Sequence, residues 1–239
     1  STDNTKEVVE GYQRANPGKI AYIYQENQGV AVVRNTGIKA AQGALVAFLD
    51  ADDSWLPHRL EEGVRIFESD PSIGLVHANI TRISEDGKEI GTPKRDIRFL
   101  SGNIFEHIFL RRADVACSTV MFRKSCCDEL GLFDEQLSRL GCEDREMWLR
   151  LAQRYKFAYI DQVLALYLVR TNSMSRNYEK MLKARLYVID KFCSGGKNQH
   201  LKNLATAKVY RDLGDEFLFK QAFNLARSSY MKSISLQPL

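Results

Sequence analysis

The sequence has little of what would assign it to a class at a glance. Its 239 residues hold five cysteines, an odd number, with Cys126 and Cys127 adjacent and no C-x-x-C pair. That argues against a disulfide framework and a zinc site, and for a reducing compartment. Cys142 has no neighbouring His or second Cys to make it a nucleophile or a ligand. No apolar run approaches the roughly 20 residues that span a bilayer, and no signal peptide is legible. The sequence therefore reads as cytoplasmic, with membrane contact at most peripheral. The net charge is only +4, from 34 basic and 30 acidic residues, which implies no nucleic-acid partner. Two local basic stretches, 94–98 and Arg111-Arg112, suit nucleotide phosphates, an anionic lipid surface or plain solvated surface.

What is present is an ordinary globular composition, 44% apolar and 27% charged, long enough to bury a core unaided. Residues 20–24 are apolar and β-branched, a strand pattern, and 25–29 form a polar loop. Residues 30–41 have helical spacing with Gly43 beyond the end. Residues 44–49 are apolar throughout, as in a strand buried on both faces of a parallel sheet. A helix is predicted from Pro57, with Leu60, Val64 and Phe67 on one face, then a strand over 73–80. Strand–helix–strand–helix–strand implies a parallel α/β sheet. Further on, Asp86-Gly87 marks a hairpin. Residues 101–111 read as a helix, 119–122 as a strand, and 144–155 as a helix with a Met147/Trp148/Leu151/Ala152/Tyr155 stripe. Residues 157–169 read as strand, 170–177 as a loop, 178–192 as a helix and 194–197 as a linker. Everything after is helical, and Tyr210, Leu213, Gly214, Phe217, Ala226, Tyr230 and Pro238 fall on the spacing of one tetratricopeptide repeat. An ordinary helical hairpin fits that spacing too.

Three clusters carry chemistry. Residues 44–49 run into Asp50-Ala51-Asp52-Asp53, and ligands of open α/β sheets bind beyond the carboxyl ends of the strands. Carboxylates packed there repel unless a cation offsets them, and oxygen ligands suit Mg²⁺ or Mn²⁺ bound with phosphate. The same run would also cap the helix from Pro57. Glu143-Asp144, after Gly141, opens a helix whose dipole keeps carboxylates ionised, as a general base requires; plain capping fits these as well. Trp148, one turn on, offers a face on which a sugar could stack. Asn27, Gly29 and Arg34-Asn35 form the third cluster, with glycine for a tight backbone and Arg34 to pair with a nucleotide or phosphate.

Taken together, these residues resemble the family 2 glycosyltransferases of the GT-A fold. Asn27-x-Gly29-x4-Arg34-Asn35-x-Gly37 leads into Asp50-Ala51-Asp52-Asp53 in that family's order and spacing. The match goes on through Gly131-x-Phe133-Asp134-Glu135, Glu143-Asp144-x3-Trp148-x-Arg150-Leu151-Ala152 and Tyr167-x-x-Arg170, and ends at Ser173-Met174-Ser175. The resemblance implies a Rossmann-like, mostly parallel sheet with helices on both faces over residues 1–175. A connecting helix and linker (176–195) and a tetratricopeptide-like hairpin (196–239) would follow. It implies inverting, metal-dependent transfer of a sugar, hexosyl or N-acetylhexosaminyl, from a nucleoside diphosphate sugar, foremost a UDP-sugar, to a saccharide or lipid-linked saccharide. The expected setting is bacterial polysaccharide or glycoconjugate synthesis at the inner membrane face. Asn27, Gly29, Arg34, Asp50, Ala51 and Asp52 would bind the donor, with Asp52 and Asp50 at the Mg²⁺ or Mn²⁺. Asp144 would be the base, Glu143 and Trp148 would bind the acceptor, and Arg170 would touch the diphosphate. Many members carry His near Arg170; arginine there can serve as a cation but not as a metal ligand. The family pattern also opens with strands ending in Asp-Asp-Gly-Ser-Thr-Asp. Residues 1–5 look like that tail, so the reading expects a chain starting partway through its catalytic domain. Two other readings stay open: a haloacid-dehalogenase-type phosphatase on Asp50-x-Asp52, and a non-catalytic scaffold that binds a protein partner through 196–239.

Overall fold

The computed structural model describes residues 3–94, 96, 98, 100–170, 177–196 and 198–236. Helix α1 (Thr5–Ala15) buries none of its residues; α2 (Val30–Ala40) follows, then strands β1 (Leu45–Ala47) and β2 (Ser54–Trp55). Next come α3 (Arg59–Ser69), β3 (Ile73–Ile83), β4 (Glu89–Gly91), the short α4 (Phe105–Phe109) and β5 (Met121–Arg123). The rest is α5 (Cys126–Leu130), α6 (Glu143–Ala152), β6 (Lys156–Leu168), α7 (Tyr178–Phe192), α8 (Gln199–Phe219) and α9 (Phe223–Leu236).

Among the described residues the strands form one sheet in the order β1-β5-β3-β6-β2, with β4 alongside β3. The long central pair, β3 and β6, is parallel, as a crossover through several helices allows. Every other pairing is antiparallel. β3 is buried at nearly every position, the pattern of a strand covered on both faces. The period-two alternation sorts its side chains. Leu75, with Phe122 and Phe157, faces a large core filled from α2, α4, α6 and α7. Val76 and Ala78, with Met121 and Ile160, face a smaller one closed by Phe67 of α3. Helices therefore cover both faces, and the larger core continues into α8 through Ala205 and Val209.

Several expectations need correction. The sheet is mixed, not mostly parallel. Residues 20–24 form no strand: Ile20, Ile23 and Tyr24 are exposed, and no described strand pairs with them. A β-branched run without a ladder partner stays irregular. β1 pairs antiparallel with β5 (Val46 opposite Phe122), and Leu45 and Ala47 are only half-buried, so it is not a two-faced buried strand. The buried face of α3 is Arg59, Gly63 and Phe67, while Leu60 and Val64 are exposed. Gly63 sets this register, since a Cβ there would lie 3.0 Å from Met121 Cε. The expected helix over 101–111 shrinks to α4. By contrast, the hairpin at Asp86-Gly87 forms with Gly87 at φ 77, and α7 spans the residues expected of it. In the terminal hairpin the faces meet at Gly214, where a Cβ would stand 2.6 Å from the Tyr230 ring.

Candidate active site

The acidic run leaves β1 in a tight turn closed by Asp53 N–H donating to the Asp50 carbonyl (3.0 Å). Each carboxylate has a different partner. Asp50 accepts from Arg34 Nη2 at 2.8 Å, and Asp52 lies 3.3 Å from Arg170 Nε. Asp53 accepts from the Ser118 hydroxyl and from Leu168 N–H, pinning the turn to the end of β6. Burial pushes the Asp53 carboxyl up against the pull of those hydrogen bonds. Asp53 belongs to the acidic run legible in the sequence, but Ser118 does not stand out there: a lone serine between Cys117 and Thr119 carries no signal.

Arg34, only 10% exposed, is the centre of the arrangement. Its Nη1 donates to Glu143 Oε1 at 2.6 Å while Nη2 holds Asp50, and its carbon lies over the rings of Phe48 (5.9 Å) and Phe133 (5.6 Å). Burial works against its charge, but Cys117, Asp50 and Asp144 together hold it above the ordinary arginine value. Both ends of the guanidinium fork are thus taken by acids, so it is not held out for a phosphate as its residue type suggested. Its neighbour Asn35 is buried and clasps Phe133: Nδ2 donates to the Phe133 carbonyl (3.0 Å), and Phe133 N–H donates back (2.9 Å). Two motifs nearly a hundred residues apart are thereby joined.

Gly29 caps α2 at φ 93, a region open to glycine, and a Cβ there would come within 2.5 Å of the Ser138 carbonyl. Its N–H takes the Asn27 side-chain oxygen (3.1 Å), and Ser138 Oγ accepts from the N–H groups of Ala31 and Val32. The loop is therefore docked on residue 138, with Asn27 occupied locally.

Gly141 (φ 96) and Cys142 (φ 64) turn the chain into α6, whose first residues are Glu143 and Asp144. Asp144 Oδ1 accepts from Arg145 N–H at 2.6 Å. Burial, then the neighbouring Asp144, push the Glu143 carboxyl up to about 7 despite Arg34. Burial likewise raises Asp144, with Arg34 and the Arg145 N–H opposing. The two titrate as a pair. Trp148 is placed differently from the expectation. It is 1% exposed and packs on Phe48 and Phe133, so no face is left for a sugar. The period that puts a residue one turn from Asp144 also turns it into the core. Further along α6, Glu146 and Arg150 form a structural pair, and Arg150 also holds the Leu130 and Leu132 carbonyls. Ser173, Met174 and Ser175 lie outside the described residues.

The donor set at the strand end is all oxygen, the class that Mg²⁺ and Mn²⁺ prefer. No group of three or more His, Cys, Asp or Glu among the described residues is placed to hold a metal. Such an ion would take one or two carboxylates and complete its shell with phosphate and water. Asp52 suits this best, because its side chain is 38% exposed and among the described residues its ion pair is with Arg170, itself exposed.

Residues 1–131 match the Glycosyl transferase family 2 profile. An uncharacterized glycosyltransferase of Rickettsia felis is 33% identical over 165 residues, 69% of this chain and 26% of its own. An uncharacterized glycosyltransferase of a Nostoc strain is 46% identical over 77 residues, 32% of this chain and 24% of its own. The chain thus spans about a quarter of the length of these two relatives. The putative teichuronic acid biosynthesis glycosyltransferase TuaG of Bacillus subtilis is 28% identical over 190 residues, 79% of this chain and 71% of its own. Among solved structures, S. aureus TarS 1-349 in complex with UDP-GlcNAc superposes with TM-score 0.62 at 15% identity, covering 98% of this chain and 77% of that one. The mannosyltransferase PcManGT of Pyrobaculum calidifontis, in complex with GDP-Man and Mn²⁺, gives 0.61 at 18% identity, covering 100% and 65%. These likenesses establish the GT-A type of α/β fold. The chain belongs to glycosyl transferase family 2.

Proposed function

We propose that the chain forms the catalytic part of an inverting, metal-dependent glycosyltransferase. It would move a sugar from a nucleoside diphosphate sugar, foremost a UDP-sugar, to a hydroxyl of a saccharide or lipid-linked saccharide. The observation that carries this reading is the bridge through Arg34, which binds the strand-end Asp50 with one nitrogen and the α6 carboxylate Glu143 with the other. One guanidinium thus ties the place where a ligand binds an α/β sheet to a pair of raised carboxyls. The relatives' names add context: TuaG in teichuronic acid biosynthesis, and ExoU of Rhizobium meliloti in succinoglycan biosynthesis.

In this reading Asp50 and Ala51 border the donor ribose, with Asn27 and Gly29 shaping the adjacent loop. Asp52, with Asp50 nearby, would hold Mg²⁺ or Mn²⁺, which supplies positive charge to the departing diphosphate. Arg170 lets go of Asp52 to meet a phosphate, a role open to a planar cation. Asp144 takes the proton of the acceptor hydroxyl, and Glu143 accepts a hydrogen bond from the acceptor. The freed oxygen bonds the anomeric carbon as the bond to the diphosphate breaks on the opposite face, inverting the centre. A pair of carboxyls raised by burial, Glu143 to about 7, suits proton transfer near neutrality. No described helix is long and apolar enough to cross a membrane. The proposed setting is the cytoplasm at the inner membrane face. A protein partner would meet the α8–α9 hairpin, where Phe219 is 86% and Phe223 64% exposed.

The test is calorimetric titration of a panel of nucleoside diphosphate sugars into the full-length protein, with and without Mn²⁺. At least one donor should bind in a metal-dependent way, and Asp52→Ala should weaken it by on the order of a hundredfold, an effect of a few kcal/mol. Absence of binding by any donor would remove the transferase reading.

A further inference from the structure

A cavity of about 520 Å³ lies away from the strand-end acids, between α7 and α8. Arg111, Tyr178, Met181, Arg185 and Leu213 are among its walls. It adjoins the turn that carries Glu143 and Asp144. Met181 sulfur sits where a Cβ on Gly141 would be 2.9 Å away, and Arg185 lies beside the Cys142 thiol. Arg145, the residue after Asp144, reaches across to the Ile108 carbonyl of α4, three residues before Arg111.

The cavity is lined by three cations, Arg111, Arg185 and Lys220, and three acids, Asp212, Asp215 and Glu216. Arg111, Arg145 and Arg185 are close enough to disfavour one another's charge. The acids on the walls already have partners: Asp212 is 3.2 Å from Arg111, Asp215 accepts from Tyr230 Oη, and Glu216 accepts from Tyr178 Oη. Lys220 rests over the Tyr178 ring at 4.1 Å. Arg185 has the Cys142 thiol and the Asp212 charge as favourable neighbours, yet its buried Nε has no hydrogen-bond partner among the described residues. A buried guanidinium N–H left unpaired is costly, and a planar oxyanion satisfies it two bonds at a time. Met181 and Leu213 give the carbon body of a ligand an apolar wall.

We propose that this cavity is an anion subsite for the acceptor, where Arg185 and Arg111 take a phosphate or carboxylate group of the molecule whose hydroxyl reaches Asp144. The proposal rests on the reading of Asp144 as the acceptor-side base and narrows the acceptor to an anionic saccharide or polyol.

The experiment is calorimetry on the full-length protein with sn-glycerol 3-phosphate and glucuronate as probes and glycerol and glucose as neutral controls. At least one anion should bind, marking which group is preferred, while the neutral pair does not. Arg185→Gln should weaken that binding about tenfold or more, the loss of a charge-assisted hydrogen bond. Arg185→Lys should recover part of it, and UDP binding should be unchanged in both. Failure of both anions to bind, equal binding by Arg185→Gln, or displacement of the anion by UDP each overturns the proposal. Anion binding that persists while Asp144→Asn turns over normally removes the base reading alone and leaves the anion site standing.

Discussion

Asp50 and Asp52 stand at the end of a strand with side chains 38% exposed, each facing one arginine. Glu143 and Asp144 stand at the start of a helix, with Glu143 only 7% exposed and both carboxyls raised by burial. The residue types match, and solvent divides their work. A carboxylate that water can reach is free to exchange an arginine for a metal ion and a phosphate. One denied water holds its proton more tightly and can pass it near neutrality. Arg34 serves both clusters and keeps them from drifting apart.

Substitutions can break or sharpen this contrast. The largest effect is expected from Asp144→Asn, which should cut transfer by about 10²–10⁴-fold while leaving donor affinity intact, as loss of a general base does. Single-turnover kinetics beside a donor titration would check it, and an unchanged rate would take Asp144 out of the role. Next comes Arg34→Gln, which strips Glu143 of its cation in a largely buried setting. It should cost about 2–4 kcal/mol of stability in urea melts. It should also move the acid limb of the pH–rate profile upward, because a carboxyl without its cation holds its proton longer. Donor-side substitutions at exposed Asp50 should cost much less stability.

The smallest effect is a slope. Glu143 has its folded value raised from 4.5 to about 7, so between those pH values the folded state binds more protons than the unfolded one. Its contribution is therefore present below about pH 4.5 and is lost as the pH rises toward 7. Glu143→Gln should flatten that decline in denaturation midpoints across the window. A decline of equal size in the variant would assign it to other groups.

Much of this was legible in the sequence for a physical reason. The apolar run into Asp50, the positive-φ Gly29 and the pair at the head of α6 are local, and local chemistry leaves local patterns. What escaped was decided by distant partners. Trp148 reads as a platform until Phe48 and Phe133 close over it. Arg34 reads as a phosphate ligand until a residue 109 positions away claims its nitrogen. Residues 20–24 have strand composition but no ladder. The pin from Asp53 to Ser118 and Leu168 joins the acidic run to two segments that carry no sequence signal of their own. Helix α1 offered only a Lys6–Glu10 pair and an exposed Val8/Tyr12 spacing.

The turn into α6 bears on how such a protein responds to selection. Cys142 holds φ 64, a conformation that L side chains rarely adopt and glycine accepts freely. Glycine there would relieve the backbone but would empty a place in the larger core that the Cys142 side chain fills, and would loosen the unfolded chain. It would also set the two carboxyls on a hinge of two consecutive glycines. The side chain at 142 thus trades local backbone ease for a fixed approach to the groups that follow.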